Sequence, residues 1–180
     1  MDFNELVFNR RTAKDFDGTP VAKEKLVQLL EWAVRAPNHH LNQPWRFIVL
    51  EKPGVDRLVG VIRESLDANE QKLAAKMLSR LQKVGAIIFV GVLGDLSTSI
   101  AEENFSATCA AVQNILLGAT SLEMGSYWSS NRYMTCQATK DFIGWQDSNL
   151  RFIAAIWLGK TINVPDLSPR KSIHEVSRFV

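Results

Sequence analysis

The pattern of apolar and polar residues along the chain predicts long helices mixed with a small number of strands. Residues 21–36 carry apolar side chains at intervals of three and four, which is the spacing of an amphipathic helix. Continuous apolar runs of strand length indicate buried strands, and the mixture is typical of the α+β class. Helices are predicted over residues 3–9, 21–36, 53–66, 69–84, 102–122 and 138–145, and strands over 45–50, 86–93 and 152–158, with a further short strand or loop at 126–130.

Two of the predicted helices have an unusual polarity: one is almost wholly apolar and the other is highly charged. The helix at 102–122 is apolar or small on nearly every side from Phe105 onward, so other structure must surround it. One subunit of this size offers limited cover, which favours a dimer interface along this helix, around Ala111 and Leu116. The charged segment at 69–84 lies between two strands and suggests a mobile cover or an excursion across a partner subunit.

Length and composition indicate one ordinary globular domain over residues 1–180. Hydrophobic residues make up 46% of the chain and charged residues 22%, and the formal net charge of +2 gives no support for a nucleic-acid or membrane surface. Cys109 and Cys136 form neither a metal motif nor a disulfide framework, and the acidic start is unlike a secretory signal. A reduced, cytoplasmic protein is therefore expected.

A polar loop follows the clearest predicted helix, and two prolines shape it. Proline cannot continue a helix and restricts the residue before it. The neutral donors and acceptors in this loop suit a flat heteroaromatic ligand with many acceptors, although a polar surface loop is equally consistent with them. Arg35, just before the loop, complements the helix dipole in either case. The loop carries Asn38, His39, His40, Asn42 and Gln43 between Pro37 and Pro44.

A cluster of cations follows the first predicted helix. Arg10, Arg11 and Lys14 surround the hydroxyl of Thr12 within five residues, and a turn signal comes next at residues 16–20. Arginine offers a planar fork of donors, so the cluster could hold a phosphate group. Taken alone, a solvated basic turn is the simpler interpretation of the same residues.

The sequence lacks the common motifs of catalytic chemistry. It contains neither a Gly-rich phosphate-binding loop of the P-loop type nor a Gly-x-Gly-x-x-Gly fingerprint. His39, His40 and His174 do not have the spacing of a metal site, and no serine lies in a nucleophile elbow. No catalytic side chain and no metal ligand are therefore predicted. Binding groups without an acid, base or nucleophile suit a site in which a cofactor carries the chemistry.

Four segments, in order along nearly the whole chain, resemble the motifs of the nitroreductase family of FMN-dependent oxidoreductases. Each segment alone is a weak signal, but the four in this order are specific. The short length, Arg35 and the histidine at position 39 are most similar to the small single-domain subgroup. The segments are residues 10–16 (RRTAKDF), 36–45 (APNHHLNQPW), 122–128 (LEMGSYW) and 170–176 (RKSIHEV).

The resemblance implies a nitroreductase-like fold, in which helices flank a central, mainly antiparallel sheet, and an intertwined homodimer. It also implies two FMN sites, each built from both subunits, with NAD(P)H as the reductant. Such a protein would pass hydride through flavin N5 to nitroaromatics, quinones or similar electron-poor acceptors by a ping-pong mechanism. A reductive dehalogenase-type member of the family, a flavin-binding or sensing protein without turnover, and a structural homodimer with an empty cleft are the alternatives.

The resemblance further implies which residues would hold the cofactor, taken by position. The first group would bind the FMN phosphate or the flavin edge, and its lysine would lie near N1 and O2. The second group would contact the ring, the ribityl chain or the phosphate, and the third would lie by the isoalloxazine face or its N5 side. The groups are Arg10, Arg11, Thr12 and Lys14 with Arg170; Arg35, His39 and Gln43; and Trp128, Ser129 and Ser130.

Two departures from the family pattern concern substrate preference. The pair His39-His40 stands where many relatives have small hydroxyl residues, and serines follow Trp128 where some of the small subgroup carry a basic residue. Both changes leave FMN binding expected and leave the choice between NADH and NADPH open.

Overall fold

A computed structural model describes residues 1–94 and 99–180 and has the predicted mixture of helices and strands. Short 3-10 turns occur at His39–Leu41 and Arg132–Met134. The helices are α1 (Phe3–Asn9), α2 (Lys23–Ala33), α3 (Lys52–Glu64), α4 (Ala68–Leu81), α5 (Ser99–Ser121), α6 (Gln137–Phe142) and α7 (Ile173–Val176), and the strands are β1 (Trp45–Glu51), β2 (Ala86–Leu93), β3 (Gly125–Ser129) and β4 (Leu150–Gly159). The predicted α+β class is confirmed.

The four strands form one antiparallel sheet in the order β1-β2-β4-β3. The two most apolar strands, β2 and β4, lie in the centre and pair along their whole lengths, with Ile88 opposite Ile156. This arrangement confirms the mainly antiparallel sheet that the family resemblance implies. The short strand β3 lies at one edge, so whatever pairs with its outer side also closes that edge of the sheet.

Helices cover both faces of the sheet. Side chains alternate along a strand, so Ile88 and Val90 of β2 pack with α2 and α5, while Ile87 and Phe89 point to the other face and pack with α3 and α4. Because neither face meets water, β2 needs no polar positions. Its continuous apolar run was predicted to be a central strand covered on both sides, and this prediction is confirmed.

Helix ends follow local capping chemistry. Asp2 accepts from the backbone N–H of Glu5 and Glu5 accepts from that of Asp2, which makes a capping box at the start of α1. Asp67 and Glu70 form the same motif at the start of α4. The helix predicted over residues 21–36 is shorter, because the chain turns after Ala33 as it approaches Pro37.

Helix α4 packs against its own subunit. Ala74, Leu78 and Leu81 are buried among the side chains that α3 and the sheet present to this face. The charged residues that suggested a mobile cover lie on the outer side of an ordinary amphipathic helix. The predicted excursion across a partner subunit is therefore wrong for this segment.

Helix α5 is covered on most of its surface by its own subunit. Ala111 is fully buried and Leu116 is 6% exposed, because α2 and the sheet pack against that side. The prediction that these two residues line a dimer interface is therefore wrong, and a charge at either position would disrupt the subunit's own core. The less covered side of α5, called here the open face, includes the exposed Ser106 and Gln113 and the half-buried Cys109, Ala110 and Leu117.

Gly118 lets α5 approach α2 closely. A Cβ atom at this position would lie 2.5 Å from Cε3 of Trp32 and 2.9 Å from Cδ2 of Leu29. The absence of a side chain at Gly118 therefore allows close helix packing within one subunit. Within residues 1–94 and 99–180, no helix is both long enough and apolar enough to cross a membrane.

Two helical glycines provide a matched test of this packing. A Cβ at Gly60 of α3 would meet no atom of the described residues within 4 Å. Gly60→Ala should therefore raise the free energy of unfolding by about 0.4–1 kcal/mol, because alanine lowers the conformational entropy of the unfolded chain. Gly118→Ala should lower it by about 1–3 kcal/mol because the methyl group overlaps Trp32. Urea denaturation followed by circular dichroism, at one protein concentration, compares the two. Equal effects of the two substitutions would contradict the close contact between α2 and α5.

Candidate functional site

The basic turn, residues 10–16, runs along the outer side of β3. Thr12 forms a parallel bridge with Ser126, and the N–H of Ala13 donates to the Ser126 carbonyl at 2.9 Å. Phe16 forms an antiparallel bridge with Thr161 after β4. Ala13 and Phe16 are buried, so the intervening side chains face outward. The local fold thus displays the predicted binding residues at the edge of the sheet.

Beside this turn lies a cavity of about 270 Å³, called here the basic pocket. It is bounded by the end of α1, the basic turn and the C-terminal tail. The structure brings Arg170 from the tail to within this pocket, next to residues that precede it by more than 150 positions. Four predicted residues meet here, namely Arg10, Arg11, Thr12 and Arg170, together with the carboxylate of Asp166.

The basic pocket concentrates positive charge. Burial, and after it the neighbouring charges of Arg170 and Arg11, lower the pKa of Arg10 from its usual range. Among the described residues, no carboxylate oxygen lies within 4 Å of any of these three guanidinium groups. An anion bound between them would relieve the repulsion, so the pocket is suited to a phosphate group.

Two of these arginines also have structural partners. Arg11 donates to the backbone carbonyls of Phe8 and Arg10, the latter at 3.0 Å, and so satisfies the end of α1. Arg170 donates to the carbonyls of Ser168 and Pro169, each at 3.2 Å. These contacts use only part of each guanidinium fork, and they hold the side chains near the pocket.

A second cavity, called here the Lys14 cleft, opens on the same side of β3 and has a volume of about 240 Å³. The Lys14 ammonium lies 5.0 Å from the ring centroid of Tyr127, within the range of a cation–π contact. Ser129 lines the cleft and is fully buried. The cleft therefore joins two predicted residues, Lys14 and Ser129.

The cleft also contains residues that sequence reasoning missed. Tyr127 and Trp157 form its aromatic floor, and the buried indole N–H of Trp157 has no hydrogen-bond partner among residues 1–94 and 99–180. Lys76 and Met77 of α4 form one wall. The spacing of the residues that α4 contributes, at 73, 76, 77 and 80, is that of one helical face, which is a signal that the sequence does contain.

Trp128 lies on the opposite side of the sheet from Lys14. Successive strand residues point to opposite faces, and Trp128 packs with the α2 and α5 side while its Nε1 donates to the carbonyl of Ile153 at 3.3 Å. Ser130 follows the strand and is exposed. Of the predicted third group, the structure thus brings only Ser129 into the Lys14 cleft.

The polar loop lies at the other end of α5 from the basic pocket. His39 Nε2 is 4.0 Å from the carboxylate of Glu103, and Asn42 donates to Asn104 at 2.7 Å. The N–H of Gln43, a residue with positive φ, donates to the side chain of Asn38 at 2.9 Å. Glu103 belongs to the first turns of α5, so these contacts fix the loop at the helix N-terminal end.

A single subunit does not assemble the predicted site. Helix α5 has 23 residues and spans about 35 Å, with the polar loop at its start and the basic turn near its end, beside Thr120. Arg35 lies between them, exposed beside a shallow hollow of about 360 Å³ lined by Trp32 and Leu117. The structure brings four members of the first predicted group together in the basic pocket, places Lys14 in a separate cleft, and leaves His39 and Gln43 of the second group at the other end of α5.

The order of the motifs and this sheet topology agree with the family comparison. A sequence model described as the nitroreductase family matches residues 7–160. The chain belongs to the nitroreductase family. The match begins within α1 and ends just after β4, so it includes the basic turn, the polar loop and the whole sheet of this family member.

Two relatives are similar to this chain over nearly their full lengths. "Putative NAD(P)H nitroreductase YfhC" of Bacillus subtilis is 28% identical over 177 residues, covering 95% of this chain and 90% of the relative. A crystal structure of a nitroreductase-like family protein from Bacillus cereus superposes with a TM-score of 0.88 at 26% identity, over 100% of this chain and 96% of that one.

A third relative has been solved with a ligand. The crystal structure of a "putative nitroreductase in complex with FMN" from Desulfovibrio desulfuricans has a TM-score of 0.75 and 25% identity, over 97% of this chain and 94% of that one.

The described part of this nitroreductase-family chain contains no cluster of three or more His, Cys, Asp or Glu side chains that could hold a metal ion.

Proposed function

We propose that the protein is an FMN-dependent oxidoreductase that uses NAD(P)H to reduce nitroaromatics, quinones or similar electron-poor acceptors. The observation that carries the proposal is the basic pocket, where three guanidinium groups meet without a carboxylate within 4 Å among the described residues. Residues of the basic turn line both this pocket and the Lys14 cleft. Membership of the nitroreductase family and the FMN complex of a relative support it.

The donor chemistry fits FMN. The basic pocket has the charge for the terminal phosphate of a mononucleotide, which Arg10, Arg11, Thr12 and Arg170 would hold. The Lys14 cleft has an aromatic floor, the cationic side chains of Lys14, Lys76 and Arg80, and neutral hydroxyl groups, which suit the edge of a flat ring with carbonyl acceptors. The absence of a dinucleotide fingerprint from the sequence favours FMN over FAD.

When bound, FMN supplies hydride chemistry at N5 between the nicotinamide and the acceptor, which would use the cleft in turn. The protein contributes position and charge. Lys14 would lie near N1 and O2 and stabilise the negative charge that develops there. Ser129 and Ser130 would lie by the N5 side, while Trp128 supports the strand from its other face. No side chain of this site needs to act as an acid or base.

We propose further that the site is completed by a second copy of the chain. His39 and Gln43 lie by the N-terminal end of α5 and the basic turn lies near its C-terminal end, about 35 Å away along the helix, so one subunit does not bring them to one ligand. Arg35 lies between these two regions. The open face of α5 lies between the two regions. A homodimer that covers this face would bring the polar loop of one subunit toward the basic pocket of the other.

A flavin-binding or sensing protein without turnover is the alternative function, and reductive dehalogenation is a second reaction class for the same cofactor. In the proposed oxidoreductase, purified protein should carry FMN, NADH or NADPH should bleach its absorbance without oxygen, and a nitroaromatic or quinone should restore it. Stopped-flow absorbance measures both half-reactions. Bound FMN that neither nucleotide bleaches would identify a binder, and acceptance of halogenated aromatics alone would identify a dehalogenase.

The basic pocket offers a test with a matched control. Arg10→Ala and Arg170→Gln should each weaken FMN binding by about 1–3 kcal/mol, because each removes a charge-assisted contact with the phosphate. Lys171→Gln removes a neighbouring cation that does not line the pocket, so its effect should be much smaller. Fluorescence titration of cofactor-free protein with FMN measures the three affinities. Equal losses for Arg170 and Lys171 variants would assign the effect to overall charge instead of the pocket.

The shared site can be tested by placing a charge on the open face of α5. Ala110→Glu should give a folded monomer that no longer retains FMN, because a desolvated charge would be repeated across the interface. Ala75→Glu is the matched control, since Ala75 is exposed on the outer side of α4. Light scattering with flavin absorbance on the same peak measures size and occupancy. A monomeric Ala110→Glu variant with one FMN per chain would contradict the shared site.

A further inference from the structure

We propose that Tyr127 is a positioning residue for Lys14. Its ring face holds the ammonium group at the cleft without cancelling the charge that the reaction uses. The inference rests on the proposed function, because it concerns the same cleft, and it assigns a role to a residue outside the motif-based predictions. Three features support the proposal: the orientation of the Tyr127 ring, the position of the Lys14 backbone and the charges around the ammonium group.

Trp157 holds the Tyr127 ring in a fixed orientation. Tyr127 is paired with Trp157 across β3 and β4, and the two rings meet edge to face at 90° with centroids 5.3 Å apart. Trp157 is 2% exposed on a central strand, so it cannot move away. Edge-to-face contact of this kind favours one ring orientation. The face of Tyr127 that meets Lys14 is therefore preset by the sheet.

The backbone of Lys14 is fixed on both sides. The bridge from Thr12 to Ser126 precedes it and the bridge from Phe16 to Thr161 follows it. Asp15 is paired with Arg80 of α4 at 2.9 Å, which ties the same stretch to the helix that forms the cleft wall. The long lysine stem still has several rotatable bonds. The ammonium group lies 5.0 Å from the ring centroid of Tyr127, and this contact directs it toward the cleft.

The choice of an aromatic partner matters electrostatically. A carboxylate beside Lys14 would hold it equally well but would neutralise it, and the pair would exert little field on a ligand. An aromatic face attracts a cation through its quadrupole and leaves the net charge in place. Within the described ranges, Lys14 has no carboxylate within 4 Å, and its neighbour Asp15 is engaged by Arg80. The Lys14 charge thus remains available to the cleft.

A double-mutant cycle on the flavin midpoint potential tests this role. Lys14→Met should lower the potential, because it removes the cation beside the developing charge. Tyr127→Leu should lower it in the same direction by a smaller amount, since the ammonium group is present but no longer directed. Tyr127→Phe keeps the ring face and should match the wild type. In the Lys14→Met background, Tyr127→Leu should produce no further shift.

Two results would overturn the inference. A wild-type potential in Tyr127→Leu would show that Lys14 needs no guide, and additive shifts in the double variant would show that Tyr127 acts on the flavin directly. Equilibrium photoreduction with a reference dye measures the potentials of FMN-loaded protein. Circular dichroism verifies that each variant is folded, and Tyr127→Phe controls for loss of packing.

A measurement without the cofactor separates this inference from the proposed function. The ring of Tyr127 should shift the Lys14 ε-methylene signals upfield in the NMR spectrum of cofactor-free protein. The shift should persist in Tyr127→Phe and vanish in Tyr127→Leu. Failure of the wild type to take up FMN, with the ring-current shift present, would refute the proposed cofactor and leave the contact established. Absence of that shift in the wild type would refute the positioning role itself.

Discussion

The antiparallel pairing of β2 with β4 is the interaction on which the rest of the structure depends. Both strands are buried on both faces, so each helix layer packs on side chains that these two strands supply. Their register shifts between Val90 and Gly91, where the Trp145 ring occupies the space that a Cβ atom of Gly91 would need. The edge strand β3 pairs with β4, and the basic turn pairs with β3. The position of each candidate binding group can thus be traced back to this central pair.

Elements with a one-sided or continuous apolar pattern were predictable, because local burial decides their form. The strand predicted over residues 86–93 and the helix predicted over residues 3–9 have the same bounds in the structure. Helix α5 was harder. Its apolar composition indicates that other structure must cover it but does not indicate which element does so. In the structure, α2 and the sheet cover Ala111 and Leu116. The direction of that cover depends on packing between distant elements, which no local pattern records.

The residues of the candidate site likewise include some that the sequence could predict and others that it could not. The grouping of Arg10, Arg11 and Thr12 follows from their adjacency, and motif resemblance added Arg170. Tyr127 and Trp157 were missed because they meet only through the register of β3 against β4. Successive residues of β3 point to opposite faces of the sheet, so Ser129 lines the cleft and Trp128 does not. Which of the two faces the cleft depends on which face of the central strands packs against α4. Long-range pairing, and not residue type, decides these contacts.

The attachment of the basic turn to β3 gives this segment a second role, which is to cover the edge of the sheet. An uncovered edge strand offers free N–H and C=O groups to other chains and so invites aggregation. The bridge from Thr12 to Ser126 and the bond donated by Ala13 occupy part of that edge. The proposed ligand-binding side chains therefore belong to a segment that also covers the sheet edge, in which Lys14 and Asp15 face outward between the buried Ala13 and Phe16. Changes of specificity in this turn are confined to the outward positions, since altering Ala13 or Phe16 would expose the sheet to self-association.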